Sequence, residues 1–256
     1  TVASAQQVLL IPESSGDTVG MYDPFDGTYI GDIITGHVDF STPINAILGP
    51  DGNIYVADQI ADAVFVFDTA GNYLLTYADS TDGMNNIRGI SFFGTNLFIC
   101  SGDDYVAEFS GPHIRETDFI NDGSEPFDLY FLPDGRSIMA DIGGSTDNVR
   151  LYDATGTLDS VIFNVNFPEQ VQDLGGGLYI SAAFSAGQIT TFDLTSSISS
   201  IPFSSGRGVY GLGNGNILAT SGAGVFELDP TTGATINTIR SGISARFIEF
   251  ADIPTG

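Results

Sequence analysis

The chain has 256 residues, of which 32 are acidic and only 7 are basic, so its net charge is −25 at pH 7. A surface of this charge repels phosphate backbones and anionic lipid headgroups, which argues against nucleic acid and anionic membranes as partners. Hydrophobic residues make up 42% of the chain and occur along its whole length, so the sequence predicts a folded protein. No stretch is continuously apolar over the length that a membrane-spanning helix requires, and we expect no membrane insertion.

The N-terminal segment is similar to the end of a cleaved secretory signal. Ala3-Ser4-Ala5 supplies the small residues of such a cleavage site. We therefore interpret residues 1–7 as a residual leader segment and expect a secreted or cell-surface protein. The single cysteine, Cys100, excludes an internal disulfide and lies in an apolar run, so we expect it to be buried. The acidic surface without lysine fits a halophilic source and an ordinary secreted protein equally well.

The predicted elements are short β-strands joined by tight turns. Residues 8–35 contain three runs of β-branched or aromatic residues. The next region shows the pattern most clearly, with strands predicted at Ile44–Leu48, Ile54–Asp58, Val64–Asp68 and Tyr73–Tyr77. No segment has a sustained helical period, so we expect almost no helix.

These strands recur with a period of about 42 residues. The third strand of a unit ends in an apolar residue and an acidic residue, followed by glycine. Clear copies of this pattern are Tyr22-Asp23 with Gly27, Phe67-Asp68 with Gly71, Tyr152-Asp153 with Gly156 and Leu228-Asp229 with Gly233. Glu108 with Gly111 and Phe192-Asp193 are less regular copies, which brings the count to six. The complete units are 42–79, 86–121, 126–164, 168–204 and 206–242.

The two chain ends supply the remaining unit. Residues 8–35 lack an innermost strand, and residues 245–251 match an innermost strand with nothing after it. Pairing them would close a ring and remove open sheet edges. The sequence therefore predicts an all-β protein with a single domain, residues 8–254. Its fold would be a six-bladed β-propeller with four antiparallel strands per blade, closed by pairing of the C-terminal strand with the N-terminal blade.

The repeat resembles the NHL repeat, in the superfamily that includes gluconolactonase-like propellers. The likeness is clearest where Ile54-Tyr55-Val56-Ala57-Asp58 is followed by Val64-Phe65-Val66-Phe67-Asp68. Asn148-Val149-Arg150 is similar to the Asn-x-Arg pair of the family, whereas Ala61-Asp62-Ala63 departs from it. The resemblance implies a ligand site at the mouth of the central channel, where the loops entering the innermost strands converge.

Alignment of the units places a set of polar and charged residues around this mouth: Asn45, Arg88, Asp128, Gln170, Arg207 and Arg246. Three of the seven arginines belong to the set. One interpretation is a cationic pocket for a carboxylate or a sulfated sugar. The other is that the arginines pair with Asp128 and Glu249 and line a water-filled channel.

Catalysis would require groups that the sequence largely lacks. The amidating-lyase branch of the family binds zinc through several histidines, but this chain has only His37 and His113, which we expect to lie apart. The lactonase branch holds a divalent metal with a Glu, an Asn and an Asp. Asn45 and Asp128 are similar to two of these, and the alignment assigns no glutamate. The residues therefore favour a protein without catalytic activity.

Clustered acidic loops suggest calcium as a cofactor, because calcium prefers oxygen ligands. The candidate ligands are Asp79, Asp82, Asn85, Asp122 and Glu125. None of these follows the spacing of a known calcium loop, so acidic residues exposed to solvent are the alternative interpretation.

We therefore interpret the protein as a secreted, non-enzymatic propeller that acts as an extracellular interaction or self-assembly module. Its partner would be another protein or further copies of the same chain. The alternatives are a metal-dependent hydrolase or lyase, and a binding protein for a small anionic ligand, each using the channel mouth.

Overall fold

A computed structural model of the chain describes residues 5–143 and 146–254. Within these ranges the secondary structure is β throughout, apart from one turn of 3-10 helix at Ser80–Asp82. No helix in the described part of the chain is long and apolar enough to cross a membrane. The predicted all-β class is confirmed.

Twenty-four strands form six four-stranded antiparallel sheets, and most sheets take their strands in chain order. The first three strands are β1 (Ala5–Glu13), β2 (Thr18–Tyr22) and β3 (Tyr29–Ile34). Blade 2 contains β4 (Pro43–Leu48), β5 (Ile54–Asp58), β6 (Ala63–Phe67) and β7 (Tyr73–Ala78). Blade 3 contains β8 (Ile90–Phe93), β9 (Asn96–Ser101), β10 (Tyr105–Gly111) and β11 (Ile114–Ile120).

The second half of the chain repeats this order. Blade 4 contains β12 (Pro126–Phe131), β13 (Ser137–Asp141), β14 (Asn148–Tyr152) and β15 (Leu158–Asn164). Blade 5 contains β16 (Pro168–Gly175), β17 (Leu178–Ala183), β18 (Gln188–Phe192) and β19 (Ser197–Pro202). Blade 6 contains β20 (Val209–Gly211), β21 (Ile217–Ser221), β22 (Gly224–Leu228) and β23 (Thr235–Ser241), and the last strand is β24 (Glu249–Pro254).

In blades 2 to 6 the first strand in chain order lies innermost. The innermost strands β4, β8, β12 and β16 contact one another in turn around the axis, and β16 contacts β20. Because each sheet is antiparallel and four-stranded, the arrangement confirms the predicted six-bladed β-propeller.

The blade at the chain ends, blade 1, has the strand order β24-β1-β2-β3. The pairing of β1 with β24 is antiparallel and runs from Ala5 opposite Pro254 to Leu10 opposite Glu249. The β1 strand thus begins three residues before the predicted domain boundary at Val8, and residues 1–4 of the predicted leader lie outside the described residues. The innermost strand begins at Glu249, after the predicted start at Ala245, which forms only an isolated bridge with Glu13.

The core lies between neighbouring blades. Between blades 1 and 2, Val8 and Ile34 pack in one apolar cluster with Val56 and Phe67. Strand β5 is buried at every residue because a blade covers each of its faces. Cys100 is fully buried in the cluster between blades 3 and 4, as expected for a small apolar side chain.

The acidic residue at the end of the third strand and the glycine that follows it form a tight turn. In blade 2 the Oδ1 atom of Asp68 accepts hydrogen bonds from the N–H groups of Ala70 and Asn72, both at 2.9 Å. Gly71 adopts a φ of 79°, a conformation that favours glycine, and its N–H donates to the Asp68 carbonyl at 3.0 Å. The same contacts recur at Asp153 and Gly156, so the repeat seen in the sequence is a repeat of turn chemistry.

Candidate functional site

The three arginines predicted at the channel mouth occupy equivalent places in the propeller ring. Each precedes an innermost strand, and its backbone N–H donates to the second strand of its own blade. The Arg88 N–H donates to the Cys100 carbonyl and the Arg207 N–H to the Thr220 carbonyl, both at 2.9 Å. The Arg246 N–H donates to the Pro12 carbonyl at 3.0 Å. The shared backbone position directs the three side chains to the same end of the channel.

Two of these arginines form ion pairs within the chain. Arg88 pairs with Glu125 at 2.6 Å, and its Nη1 atom donates to the Pro126 carbonyl at 3.0 Å. Arg207 pairs with Glu169 at 3.0 Å and lies over the Phe184 ring at 4.6 Å from the centroid. The expectation that Asp128 and Glu249 would be the partners is wrong, because the acidic residues nearest to the guanidinium groups come from the loops and strand starts of the neighbouring blades.

Glu169 lies at the centre of the charges at this mouth. Burial raises the pKa of Glu169 to about 7, and the positive charges of Arg207, Arg246 and Arg88 act in the opposite direction. Its carboxylate therefore balances more than one guanidinium group, and the cationic arc is partly neutralised from within.

Arg246 differs from the other two arginines. Its Nε atom donates to the Ser14 hydroxyl at 2.9 Å, and no carboxylate in the described part of the chain lies within ion-pair distance. Burial lowers the pKa of Arg246 to about 10, with a further contribution from the positive charge of Arg207. Arg246 is thus the member of the arc with unused capacity to bind an anion.

Two aromatic rings meet on the axis below the arginines. Phe247 follows Arg246 in blade 1, and Phe127 is the second residue of the inner strand of blade 4, which is the opposite blade in a ring of six. Their ring centroids are 6.0 Å apart, and both residues are buried in one cluster with Ile44 of blade 2. Contact between opposite blades means that apolar side chains fill the axis at this level.

The remaining predicted mouth residues lie deeper and link the inner strands. The Oε1 atom of Gln170 accepts hydrogen bonds from the N–H groups of Val209 and Ile248, both at 3.0 Å, and its Nε2 atom donates to the Ile248 carbonyl at 2.8 Å. The Oδ2 atom of Asp128 accepts the N–H of Val171 at 2.8 Å. These bonds connect neighbouring and next-nearest blades.

Glu249 joins this network at the far end of the channel. Its Oε1 atom accepts hydrogen bonds from Asn45 at 3.2 Å and from Gln170 at 2.9 Å. Burial raises the pKa of Glu249 to about 8 and that of Asp128 to about 7, and the negative charge of Asp128 raises the Glu249 value further. Both carboxyl groups border a cavity of about 220 Å3 that opens at the turn end of the inner strands.

Known proteins share this architecture at low sequence identity. No family model matches the chain, and no curated protein matches it in sequence. A chain of the crystal structure of a nidogen/laminin complex superposes with a TM-score of 0.80 at 13% identity, covering 98% of this chain and 100% of that one.

Two bacterial structures are also similar. A Bacteroides caccae protein of unknown function has a TM-score of 0.69 at 13% identity, covering 96% of this chain and 98% of that one. A gluconolactonase from Xanthomonas campestris has a TM-score of 0.65 at 14% identity, covering 99% and 94%. The protein has the fold of NHL-repeat and gluconolactonase-like propellers. At these identities the similarity establishes the fold of the propeller and nothing further.

The deep polar groups of this propeller take part in hydrogen bonds between strands. Glu249 is a glutamate that alignment did not assign; it contacts Asn45 and borders the same cavity as Asp128. Glu249 Oε1 accepts two amide groups, and Asp128 Oδ2 accepts a backbone N–H. The Oδ1 atom of Asn45 is buried and has no hydrogen-bond partner in the described part of the chain.

The predicted calcium ligands separate into two places in the propeller. Asp79 and Asp82 lie together with His113, and the three can bring one ligand atom each within 4.8 Å of one another. Asp79 also caps the 3-10 turn by accepting the N–H of Thr81 at 2.7 Å. The amide Nδ2 of Asn85 donates to Asp103 Oδ1 at 2.7 Å.

The other two calcium candidates face cations. Asp122 lies 3.8 Å from Arg150 and accepts the Tyr152 hydroxyl at 3.0 Å. Glu125 pairs with Arg88. The sequence brings Asp122 and Glu125 close along the chain, but the structure assigns them to different arginines.

The two histidines occupy different blades, as expected. His37 packs against Phe65 and Tyr73 of blade 2, with ring centroids 5.2 and 4.5 Å away. His113 lies in the β10–β11 turn, where its Nδ1 atom is 2.7 Å from Asp82. A zinc centre built on both histidines is therefore not part of this propeller.

Sequence reasoning did not assign four residues to the channel, although they contact its arginines or fill its axis: Glu125, Glu169, Phe127 and Phe247. It had named Glu125 only as a calcium candidate. One signal could have found three of them. Pro126 and Pro168 begin the innermost strands of blades 4 and 5, so residues one position before and after these prolines lie at the mouth. Phe247 had no such marker, because blade 1 lacks a proline at that point.

Proposed function

We propose that the protein is a secreted, non-enzymatic propeller that acts as an extracellular protein-interaction module. This proposal rests on how the side chains that line the channel are used. Phe127 and Phe247 fill the axis, and the ionisable groups around them are bound to one another or to the inner strands. A channel used in this way stabilises the ring and leaves recognition to the outer surfaces.

Several features support the extracellular part of the proposal. The chain has an acidic surface, a buried single cysteine and the small residues Ala3-Ser4-Ala5 near its N-terminus. One similar structure comes from a complex of nidogen with laminin. That likeness supports protein binding as a use of this fold.

Hydrolysis assays test the absence of catalysis. The protein is incubated with a panel of lactones and esters in the presence of Ca2+, Zn2+ or Mn2+. The variants Asp128→Asn and Glu249→Gln serve as matched controls, because each retains the acceptor atoms of its hydrogen bonds. We expect no turnover above the metal-only background. Metal-dependent turnover that either variant abolishes would overturn the proposal.

Self-assembly is tested by sedimentation velocity over a wide range of protein and calcium concentrations. Copies carrying a charge of −25 repel one another unless cations bridge them, so assembly would depend on calcium. A strict monomer under every condition would remove self-assembly and leave a different protein as the partner.

A second candidate function is the binding of a small carboxylate or sulfated ligand, and Arg246 favours it. This arginine has no carboxylate partner in the described part of the chain, and Arg207 lies close by. Calorimetric titration with galacturonate and with a sulfated monosaccharide tests this candidate. Binding should disappear in Arg246→Gln and persist in Arg136→Gln, whose arginine pairs with Asp134 at the surface. Equal binding by both variants would eliminate it.

A further inference from the structure

A groove between blades 1 and 6 exposes large aromatic side chains. It has a volume of about 280 Å3, and Phe25 and Phe250, which line it, are 62% and 40% exposed. The rest of the lining is Gln7, Pro24, Tyr210, Gly211 and Gly213. Exposed aromatic residues that line one concave surface are typical of a contact site for another protein.

Phe25 breaks the repeat at this place. It is the second residue after the aspartate of the β2–β3 turn, where the other blades with this turn have Ala70, Thr155, Thr195 and Thr231. The turn itself is unchanged, because the Phe25 N–H donates to Asp23 Oδ1 at 2.7 Å as in those blades. The turn therefore does not require the aromatic ring of Phe25.

The neighbouring blade holds Phe25 in its exposed position. The N–H groups of Gly213 and Asn214 donate to the carbonyls of Pro24 and Phe25, both at 2.9 Å. A Cβ atom on Gly213 would lie 2.9 Å from the Phe25 ring, so the absence of a side chain keeps the groove open. A turn whose backbone is already fixed loses little backbone entropy on binding.

The groove continues beyond Tyr210 towards blade 5. A second concave region of about 420 Å3 shares Tyr210 and Gly211 with the first and is lined by Leu174 and Asp173. A Cβ atom on Gly211 would lie 2.6 Å from Leu174, so this floor also depends on glycine. The two regions therefore adjoin at Tyr210 and Gly211, and residues of blades 1, 5 and 6 line this strip.

The charges around the strip are negative. Asp23 and Asp26 flank Phe25, Asp252 lies opposite Gln7 in the pairing of β24 with β1, and Asp173 borders the second region. Hydrogen bonds from Thr28 lower the pKa of Asp26, so its carboxylate is ionised at neutral pH. A partner must therefore supply positive charge.

A second copy of this chain is a poor source of that positive charge. Six of the seven arginines form ion pairs within the chain. Arg246 pairs with no carboxylate of the described chain, but it lies partly buried at the channel mouth. A second copy would also bring a net charge of −25. The chain also contains no lysine.

We propose that the groove formed by Phe25, Phe250 and Tyr210 binds a segment of another protein that carries arginine or lysine together with a large apolar side chain. The apolar side chain packs on the exposed rings, and the cations face the aspartates of the rim. This proposal rests on the proposed interaction function and names the surface and the chemistry of the partner.

The test is selection from a random dodecapeptide library displayed on phage, with the wild-type protein as the target at physiological salt. We expect the enriched pool to contain basic residues together with aromatic or aliphatic ones. Synthetic peptides from the pool are then titrated against wild type, Phe25→Thr and Phe250→Thr. Each substitution should weaken binding about tenfold or more, because each removes a central aromatic contact. Phe25→Thr restores the residue of blades 4 to 6 and should fold normally.

Ile198→Thr is the matched control, because Ile198 is 56% exposed on β19 and lies outside the groove. The affinity of Ile198→Thr for the selected peptides should equal that of the wild type. A pool without basic residues, equal binding by Phe25→Thr and Ile198→Thr, or the absence of any enriched pool would each overturn the groove proposal. Peptides that bind elsewhere would leave the interaction function standing, whereas only turnover in the hydrolysis assays would contradict its non-enzymatic character.

Discussion

The ring of Phe247 meets the ring of Phe127 across the propeller axis, with centroids 6.0 Å apart. These residues belong to opposite blades, so one aromatic contact joins the two halves of the ring. Phe127 lies in β12 and Phe247 just before β24, so the contact joins distant parts of the chain.

Truncation of this contact should destabilise the whole domain. We expect Phe247→Ala to lower the free energy of unfolding by about 3–5 kcal/mol, because it removes a fully buried ring and leaves a cavity on the axis. Guanidinium unfolding measures the change, with Ile198→Ala as an exposed control. A loss no larger than that of the control would show that the axis is not packed.

The pair formed by Arg207 and Glu169 should behave as a buried ion pair. Arg207→Met should destabilise the protein by about 2 kcal/mol, since it leaves the buried Glu169 carboxylate without its nearest cation. In a Glu169→Gln background the same substitution should cost less than about 1 kcal/mol. A double-mutant cycle measures the coupling, and strictly additive effects would contradict the pairing.

The deep carboxyl groups should make the protein more stable at pH 5 than at pH 8. Burial raises the pKa of Asp128 to about 7, so the folded state binds protons more tightly than the unfolded state. Stability from this group is complete below the unfolded pKa and is lost as pH rises through about 7. The slope is at most about 1.4 kcal/mol per pH unit for each group.

Asp128→Asn should flatten that slope while keeping the acceptor for the Val171 N–H. Unfolding free energies measured between pH 5 and pH 8 test this change. Asp193→Asn is the control. Hydrogen bonds from Thr195 lower the pKa of the exposed Asp193, so this group changes the free energy of unfolding only at acidic pH. Equal slopes in wild type and Asp128→Asn would refute the assignment.

Two turn glycines should differ in their tolerance of alanine. Gly156 and Gly52 adopt φ angles of 77° and 82°, so both substitutions carry a backbone cost of about 1 kcal/mol. A Cβ atom on Gly156 would also overlap the Phe119 carbonyl of the preceding blade, whereas Gly52 faces open space. We expect Gly156→Ala to be the more destabilising by a further 1–3 kcal/mol or so, measured by thermal unfolding. Similar losses at both positions would mean that this turn does not pack against the neighbouring blade.

The fold could be predicted from the sequence alone, because the information that specifies a blade is local. Short β-branched strands and the turn formed by an aspartate and a glycine, as at Asp68 and Gly71, are set by residues close together in the chain. The same period gave the number of blades. Strand ends next to irregular segments were less well determined, as the start of β24 at Glu249 shows.

Which charges meet depends on how the blades pack against one another. The sequence alignment placed Arg88, Arg207 and Arg246 around the channel mouth, but it did not identify their partners. These partners, Glu125, Glu169 and Ser14, lie on other blades or in loops. Which acidic residue reaches which arginine depends on differences of a single residue in the alignment of one blade with the next. Hydrophobic periodicity does not encode such differences. The Phe25 groove depends in the same way on two blades packed side by side, which no local segment of the sequence specifies.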